Sequence, residues 1–222
     1  AKIGNPDLKP ATSTNSNFGF IFSDDIQKFT LDYWKIDFKD RIVLQSPQAL
    51  LDQDPNGPSI TRNDIGDLVG VTTTYFNEES TMVSGVDFEY KRFFNLRDYG
   101  ELDFAIRGTN LIEFLTPDRN DVTCLALGCV QLIDRVGKFN FDSNTHALPE
   151  NRINAFLNWK FNNYIFGMNA RYIDGYRNNI SIPQASIDRG YSNEVDSLLL
   201  FDLSVDLPLS DLFTIDTVGG DY

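Results

Sequence analysis

Oxygen ligands are the first candidates for chemistry in this chain. Asp52-Gln-Asp-Pro-Asn-Gly57 places side-chain oxygens at the first, third and fifth positions and glycine at the sixth. That is the first half of a calcium loop, with Asp52, Asp54 and Asn56 as the ligands. The twelfth position is Asn63 rather than the bidentate Glu such a loop needs, and Pro55 and Pro58 stiffen the stretch. An ordinary polar turn accounts for the same residues. Cys124 and Cys129 sit in Thr-Cys-Leu-Ala-Leu-Gly-Cys-Val. The chain has one histidine, His146, so the pair cannot complete a four-ligand zinc site. A small disulfide loop in an oxidising compartment fits better, with two buried thiols as the alternative.

Catalytic arrangements are missing. A single His in a long loop cannot serve a Ser-His-Asp triad. No P-loop or dinucleotide fingerprint occurs, and Asn179-Ile-Ser181 matches a glycosylation sequon only as a chance triplet. The carboxylates are many, but none is paired in a way that argues acid–base work. We therefore expect no enzyme, and no cofactor unless calcium binds. The formal net charge of -13 argues against nucleic acid as a partner, because phosphate binding needs a basic surface. Solvated loops explain the acidity.

The more informative polar residues are those that alternate with apolar ones. In residues 81–92, Val86, Phe88 and Tyr90 interleave with Gly85, Asp87, Glu89 and Lys91. Side chains of a strand point alternately to opposite faces, so one face is oily and the other charged. The pattern recurs. Leu102, Phe104 and Ile106 interleave with Asp103 and Arg107; Leu157 and Trp159 with Asn158 and Lys160. Met168 and Ala170 interleave with Asn169 and Arg171, and Phe201, Leu203 and Val205 with Asp202 and Asp206. These polar positions form one candidate set: Asp87, Glu89, Lys91, Asp103, Arg107, Asn158, Lys160, Asn169, Arg171, Asp202 and Asp206. They would line a water-filled interior. Generic wall polarity is the plainer account.

The elements that carry this set are strands joined by turns of two kinds. Short turns are expected at Ser23-Asp-Asp25, at 95–100, at Asn162-Asn163 (a hairpin signal) and at 208–211. Long excursions cover 44–80, with a hairpin around 63–67, then about 116–151 and about 174–194. Short and long connections alternate, as in outer-membrane barrels with short periplasmic turns and long extracellular loops. Aromatics gather beside the short turns: Phe22, Phe29, Phe93, Tyr99, Trp159, Phe161, Tyr164 and Phe213. An interfacial belt uses aromatics this way. The apolar phase shifts near Trp34, Ile36 and Phe38, which signals either a β-bulge or a strand leaving the bilayer. No apolar run approaches the roughly 18 residues of a spanning helix, but a barrel strand needs only about 9–11. The reading is all-β: an antiparallel up-and-down transmembrane β-barrel, partial, with about eight strands of a larger one. A soluble β-sandwich binding module and a passive porin or autotransporter barrel are the alternatives.

Three stretches then resemble the C-terminal part of a TonB-dependent outer-membrane receptor barrel. Gly4-Asn-Pro-Asp-Leu-Lys-Pro10 is similar to a segment of that family, with Ala11 where Glu is usual. Asp32-Tyr-Trp-Lys-Ile-Asp with Asp40-Arg-Ile42 resembles the following strand. Ser84-Gly-Val-Asp87, after Tyr75-Phe-Asn77, resembles the next. The resemblance implies a plugged 22-stranded barrel in the Gram-negative outer membrane. It implies uptake of a small-molecule nutrient such as a siderophore or oligosaccharide, through TonB and the ExbB–ExbD motor, with outer-membrane lipid around the wall. Residues 1–222 would be a fragment of the barrel domain. The plug domain, the TonB box and the terminal strand would lie outside the fragment, and the abrupt ends would reflect a longer precursor. Tyr75, Phe76, Tyr176 and Tyr191, in the long loops, are candidates to stack on the substrate.

Overall fold

Alternating solvent preference becomes a wall one strand thick. A computed structural model describes residues 1–118, 131–140, 146–178 and 182–207. Its strands are β1 (Lys2–Ile3), β2 (Thr12–Ser23), β3 (Gln27–Leu44), β4 (Ile60–Arg62), β5 (Leu68–Val71), β6 (Thr73–Asn95), β7 (Glu101–Pro117) and β8 (Leu132–Asp134). They continue as β9 (Lys138–Asn140), β10 (His146–Ala147), β11 (Asn151–Phe161), β12 (Tyr164–Ile173), β13 (Tyr176–Asn178), β14 (Glu194–Val195) and β15 (Leu198–Asp206). The long strands pair in chain order, β2-β3-β6-β7-β11-β12-β15, each antiparallel to the next. This is the up-and-down meander that the alternation predicts. The further strand expected near residues 213–217 and its turn at 208–211 lie outside the described residues.

Each described short turn has its own device. Asp24 Oδ1 accepts hydrogen bonds from the backbone N–H groups of Ile26 and Gln27, and Oδ2 accepts one from Gln27 Nε2. The Ile26 bond is the main reason that the Asp24 carboxyl titrates below its ordinary range. Gly100 has a φ of 87°, and a Cβ there would collide with the Lys160 carbonyl, so only glycine fits. Asn162 opens the third turn with a φ of 52°, in the region that asparagine tolerates best after glycine.

The strands outrun any bilayer. β6 has 23 residues and β3 has 18, against about 9–11 needed to cross. Roughly half of β6 therefore stands beyond the membrane. The pairing of β3 with β2 and β6 runs through Trp34, Ile36 and Phe38 without a register shift. Of the two explanations for the phase change, the bulge in β3 is thus overturned. The strand simply enters surroundings that no longer differ between its faces. The real bulge lies between β6 and β7, where Ser84 pairs Glu113 and Gly85 pairs Leu111, leaving Ile112 unmatched.

The excursions carry structure of their own. Ser46 caps a short helix, Pro47–Gln53, its Oγ accepting from Ala49 N. β4 and β5 form the expected hairpin, closed by Asn63 Oδ1, which accepts from Ile65 N and Asp67 N. A small sheet, β10-β9-β13-β14, sits in the second and third excursions, and β8 extends the wall beside β7.

The wall itself has little interior. Its apolar side chains stay open: Phe18 is 78% exposed, Phe201 60% and Leu203 79%. A sandwich would bury them under a second sheet, so that alternative fails. The most buried side chains include polar ones beyond the membrane band: Thr81, Ser84, Thr116, Arg135 and Asn140.

Candidate functional site

Register sorts the wall into two chemistries. Residues directly opposite on paired strands share a face. One row reads Phe20, Leu31, Phe88, Gly108, Ile153, Tyr172 and Leu199. The next row on that face reads Phe22, Phe29, Tyr90, Ile106, Ala155, Ala170 and Phe201. This is the apolar face. Asp87 is opposite Asp32 and Thr109; Glu89 is opposite Thr30 and Arg107; Asp103 is opposite Asn158. Counted through the register, the whole sequence-derived polar set lies on this second face. Sequence reasoning missed Lys28, Asp32, Arg152 and Asn154, which join it. Lys28 and Asp32 lie on β3 ahead of its phase change, and Arg152 and Asn154 continue the alternation of Asn158 and Lys160 toward the start of β11. Phe93 is a correction to the belt. It is opposite Asp103 and so lies on the polar face.

The polar face is knitted laterally. Thr109 Oγ1 donates to Asp87 Oδ1 at 2.5 Å, and Lys91 pairs with Glu89 at 2.9 Å. Arg107 lies over the Phe156 ring, 4.9 Å from its centre. Arg171 reaches Asp202 at 3.1 Å, and Asn169 donates to the same carboxylate oxygen at 3.4 Å. Lys160 is opposite Glu101, and Asp206 is opposite Ile165. Near the short turns, Lys28, Lys91, Phe93, Asp103 and Asn158 line a cavity of about 300 Å³. The arrangement offers paired charges and amides to whatever lies against the wall.

The other sequence-derived candidates disperse. Asp52 lies in the last turn of the helix and accepts from Gln48 Nε2, while Asp54 Oδ1 accepts from Asn56 N. Among the described residues no three His, Cys, Asp or Glu side chains come together as a metal site. Cys124 and Cys129 fall outside the described residues. Tyr75 and Phe76 belong to β6 rather than to a loop, and as neighbours in a strand they point to opposite faces. Tyr176 stacks on Phe139 within the small loop sheet, at 6.3 Å, and Tyr191 is exposed beyond the helical turn Gln184–Ile187.

One cluster ties the three resembling stretches together. Asn77 Nδ2 donates to the Lys9 carbonyl at 2.8 Å and to the Asp40 carbonyl at 2.7 Å. Asn77 Oδ1 accepts from Lys9 N at 2.8 Å. Its amide thus stands in for a strand neighbour. Asn5 Nδ2 donates to the Tyr75 carbonyl, and β1 pairs in parallel with Thr73 and Thr74. Residues 4–10 are therefore strapped along the outer part of β6. Asp40 has a φ of 54°, while the register of β3 with β6 runs on from Lys39 opposite Ser80 to Arg41 opposite Glu78. Arg41 next to it forms a two-bond pair with Glu78, 2.6 and 3.1 Å, and lies 5.8 Å from the centre of the Phe114 ring. Thr81 adds a third bond to the same Glu78 oxygen. A second brace joins β11 to the end of β12. Asp174 accepts from Asn151 N, Asn151 Nδ2 and the Tyr172 hydroxyl. Burial pushes the Asp174 carboxyl up, but these hydrogen bonds outweigh it and leave the group below its ordinary range.

Solved structures share this wall. A ferric enterobactin receptor mutant, PfeA from Pseudomonas aeruginosa, in complex with enterobactin, superposes with a TM-score of 0.54 at 15% identity over 92% of this chain and 25% of that one. The siderophore receptor PirA from Acinetobacter baumannii gives 0.53 at 16% identity, over 92% and 26%. The chain thus spans about a quarter of the length of these receptors. No curated protein matches it. The model of the family described as "TonB dependent receptor-like, beta-barrel" matches residues 1–221. That is a family of receptors rather than enzymes. The chain belongs to the TonB-dependent receptor β-barrel family, whose barrels lie in the outer membrane of Gram-negative bacteria.

Proposed function

We propose that this wall is one stretch of the barrel domain of an importer that takes up a small-molecule nutrient across the outer membrane, driven through TonB. The observation that carries the reading is the two-faced wall, apolar against lipid and polar against an interior, in a chain of this family. In the whole receptor the polar face lines the lumen. Its paired groups, Asp87 with Thr109, Glu89 with Lys91 and Asp202 with Arg171, present hydrogen bonds to a plug and to a wet path beside it. Contact with TonB, and through it ExbB–ExbD, belongs to other segments of the receptor. The two named neighbours are siderophore receptors. At 15–16% identity that likeness reaches only the fold. A ferric siderophore or an oligosaccharide is the substrate class we would test first.

The test is substrate-dependent growth of a strain whose full-length receptor gene is deleted, then restored, with and without a functional TonB. Growth on a ferric siderophore or an oligosaccharide should need both the receptor and TonB. Growth that needs the receptor but not TonB would replace this reading with a passive pore.

A further inference from the structure

The apolar face has one exception. From the row of Phe18, Tyr33 and Val86 down to the short turns, the described strand residues of that face include a single charged side chain, Arg92. Its row reads Gln27, Arg92, Phe104, Leu157, Met168 and Leu203. No acid shares that row. The guanidinium lies 4.8 Å from the centre of the Phe94 ring; its Nε is buried without a hydrogen-bond partner, which leaves the terminal nitrogens to meet a ligand. Asp24, in the adjoining turn, lies close enough to feel the Arg92 charge, but both of its oxygens are hydrogen-bonded to Ile26 and Gln27.

Depth decides what Arg92 can meet. Gln27, directly opposite, is the first residue of β3, and Phe93 N bonds the Ile26 carbonyl inside the turn. Arg92 therefore sits toward the short-turn end of the wall, level with the first residue of β3, three residues inside the end of β6 and two residues nearer the turns than the row of Tyr90 and Ile106. A lipid-facing arginine is tolerated there and not at the midplane. A planar guanidinium matches two phosphate oxygens at once, and an aromatic ring beneath it fixes its plane. Phe104, Leu157 and Met168 extend from it as an apolar track.

We propose that Arg92 binds the phosphate of a membrane phospholipid in the periplasmic leaflet, with the acyl chains lying along Phe104, Leu157 and Met168. The inference rests on the outer-membrane reading, and the experiment separates the two. The full-length receptor is placed in nanodiscs with two photoreactive phosphatidylglycerols, one reactive at the headgroup and one at the acyl tail. The tail probe should label the Phe88 and Ile106 rows. The headgroup probe should concentrate on the peptide holding Arg92, and Arg92→Gln should lower that labelling about fivefold or more. Arg92→Lys, which keeps the charge but not the fork, should retain part of it. Inorganic phosphate should not compete.

Tail labelling that is correct beside headgroup labelling spread evenly around the rim overturns the proposal, whether or not the variants fold. Unchanged labelling in Arg92→Gln overturns it as well. Displacement of the headgroup probe by inorganic phosphate overturns the lipid as the ligand. Absence of tail labelling on the wall sinks the barrel reading instead.

Discussion

Placing one arginine on either side of the wall, one residue apart, tests the assignment of faces. Ile106 lies on the apolar face, opposite Tyr90 and Ala155, and Ala105 lies on the polar face, opposite Lys91 and Phe156. Ile106 is five residues into β7, or about 17 Å along the strand at roughly 3.4 Å per residue. With a tilt of about 40° that is about 13 Å of depth, near the middle of an apolar band about 25 Å tall. Ile106→Arg should therefore cost about 2–4 kcal/mol, which is about 30- to 900-fold in the folding equilibrium. Ala105→Arg enters the cavity of about 300 Å³ that Asp24 and Asp103 also line. There an arginine stays hydrated and finds an acid, so its cost should stay under about 1 kcal/mol. The assay is reversible unfolding of the full-length receptor in lipid vesicles by denaturant titration, followed by the electrophoretic shift of the folded barrel. Equal costs at the two positions, or a larger cost at Ala105, would refute the facing.

Three further outcomes follow from local geometry. A Cβ on Gly108 would lie 2.8 Å from the Phe88 ring and 2.9 Å from the Arg152 carbonyl, so Gly108→Val should cost about 1–3 kcal/mol by overpacking. Adding Phe88→Ala should recover only part of it in the same titration, because the carbonyl cannot move aside. Asn77→Ala removes three hydrogen bonds that hold Lys9 and Asp40, each worth about 0.5–1.5 kcal/mol. Amide exchange in residues 4–10 should quicken while the membrane rows stay protected. Asn77→Asp, which can accept but not donate, should lie between. The carboxyl of Asp174 is depressed in the folded state, so its contribution is present above the ordinary carboxylate value and lost as pH falls through the folded one. Thermal unfolding from about pH 6 down to about pH 3 should lose this acid-sensitive part in Asp174→Asn.

Much of the wall was legible because its cause is local. Asp87 and Phe88 meet different solvents, and that difference is written into consecutive residues. The turns at Asp24 and Asn162 were legible for the same reason, since a short stretch sets its own backbone. What stayed hidden depends on a partner strand. The phase change at Trp34 reads equally as a bulge or as a strand outrunning the bilayer, and only pairing with β2 and β6 decides it. The unmatched Ile112 has no signature in its own sequence. Phe93 counts as a belt residue until its register opposite Asp103 is known. Tyr75 and Phe76 read as loop residues because nothing in β6 alone tells how far the strand continues. The braces at Glu78 and Asp174 join residues distant in the chain, and each partner looks ordinary by itself.

The strap at Asn77 has a consequence for how relatives are recognised. The residues whose order gives the chain away hold a joint in the scaffold, through backbone carbonyls and one amide. They report how the outer rim is assembled and are indifferent to the cargo that passes. Relatives found through them share masonry, and two receptors alike at these positions can still import unlike molecules.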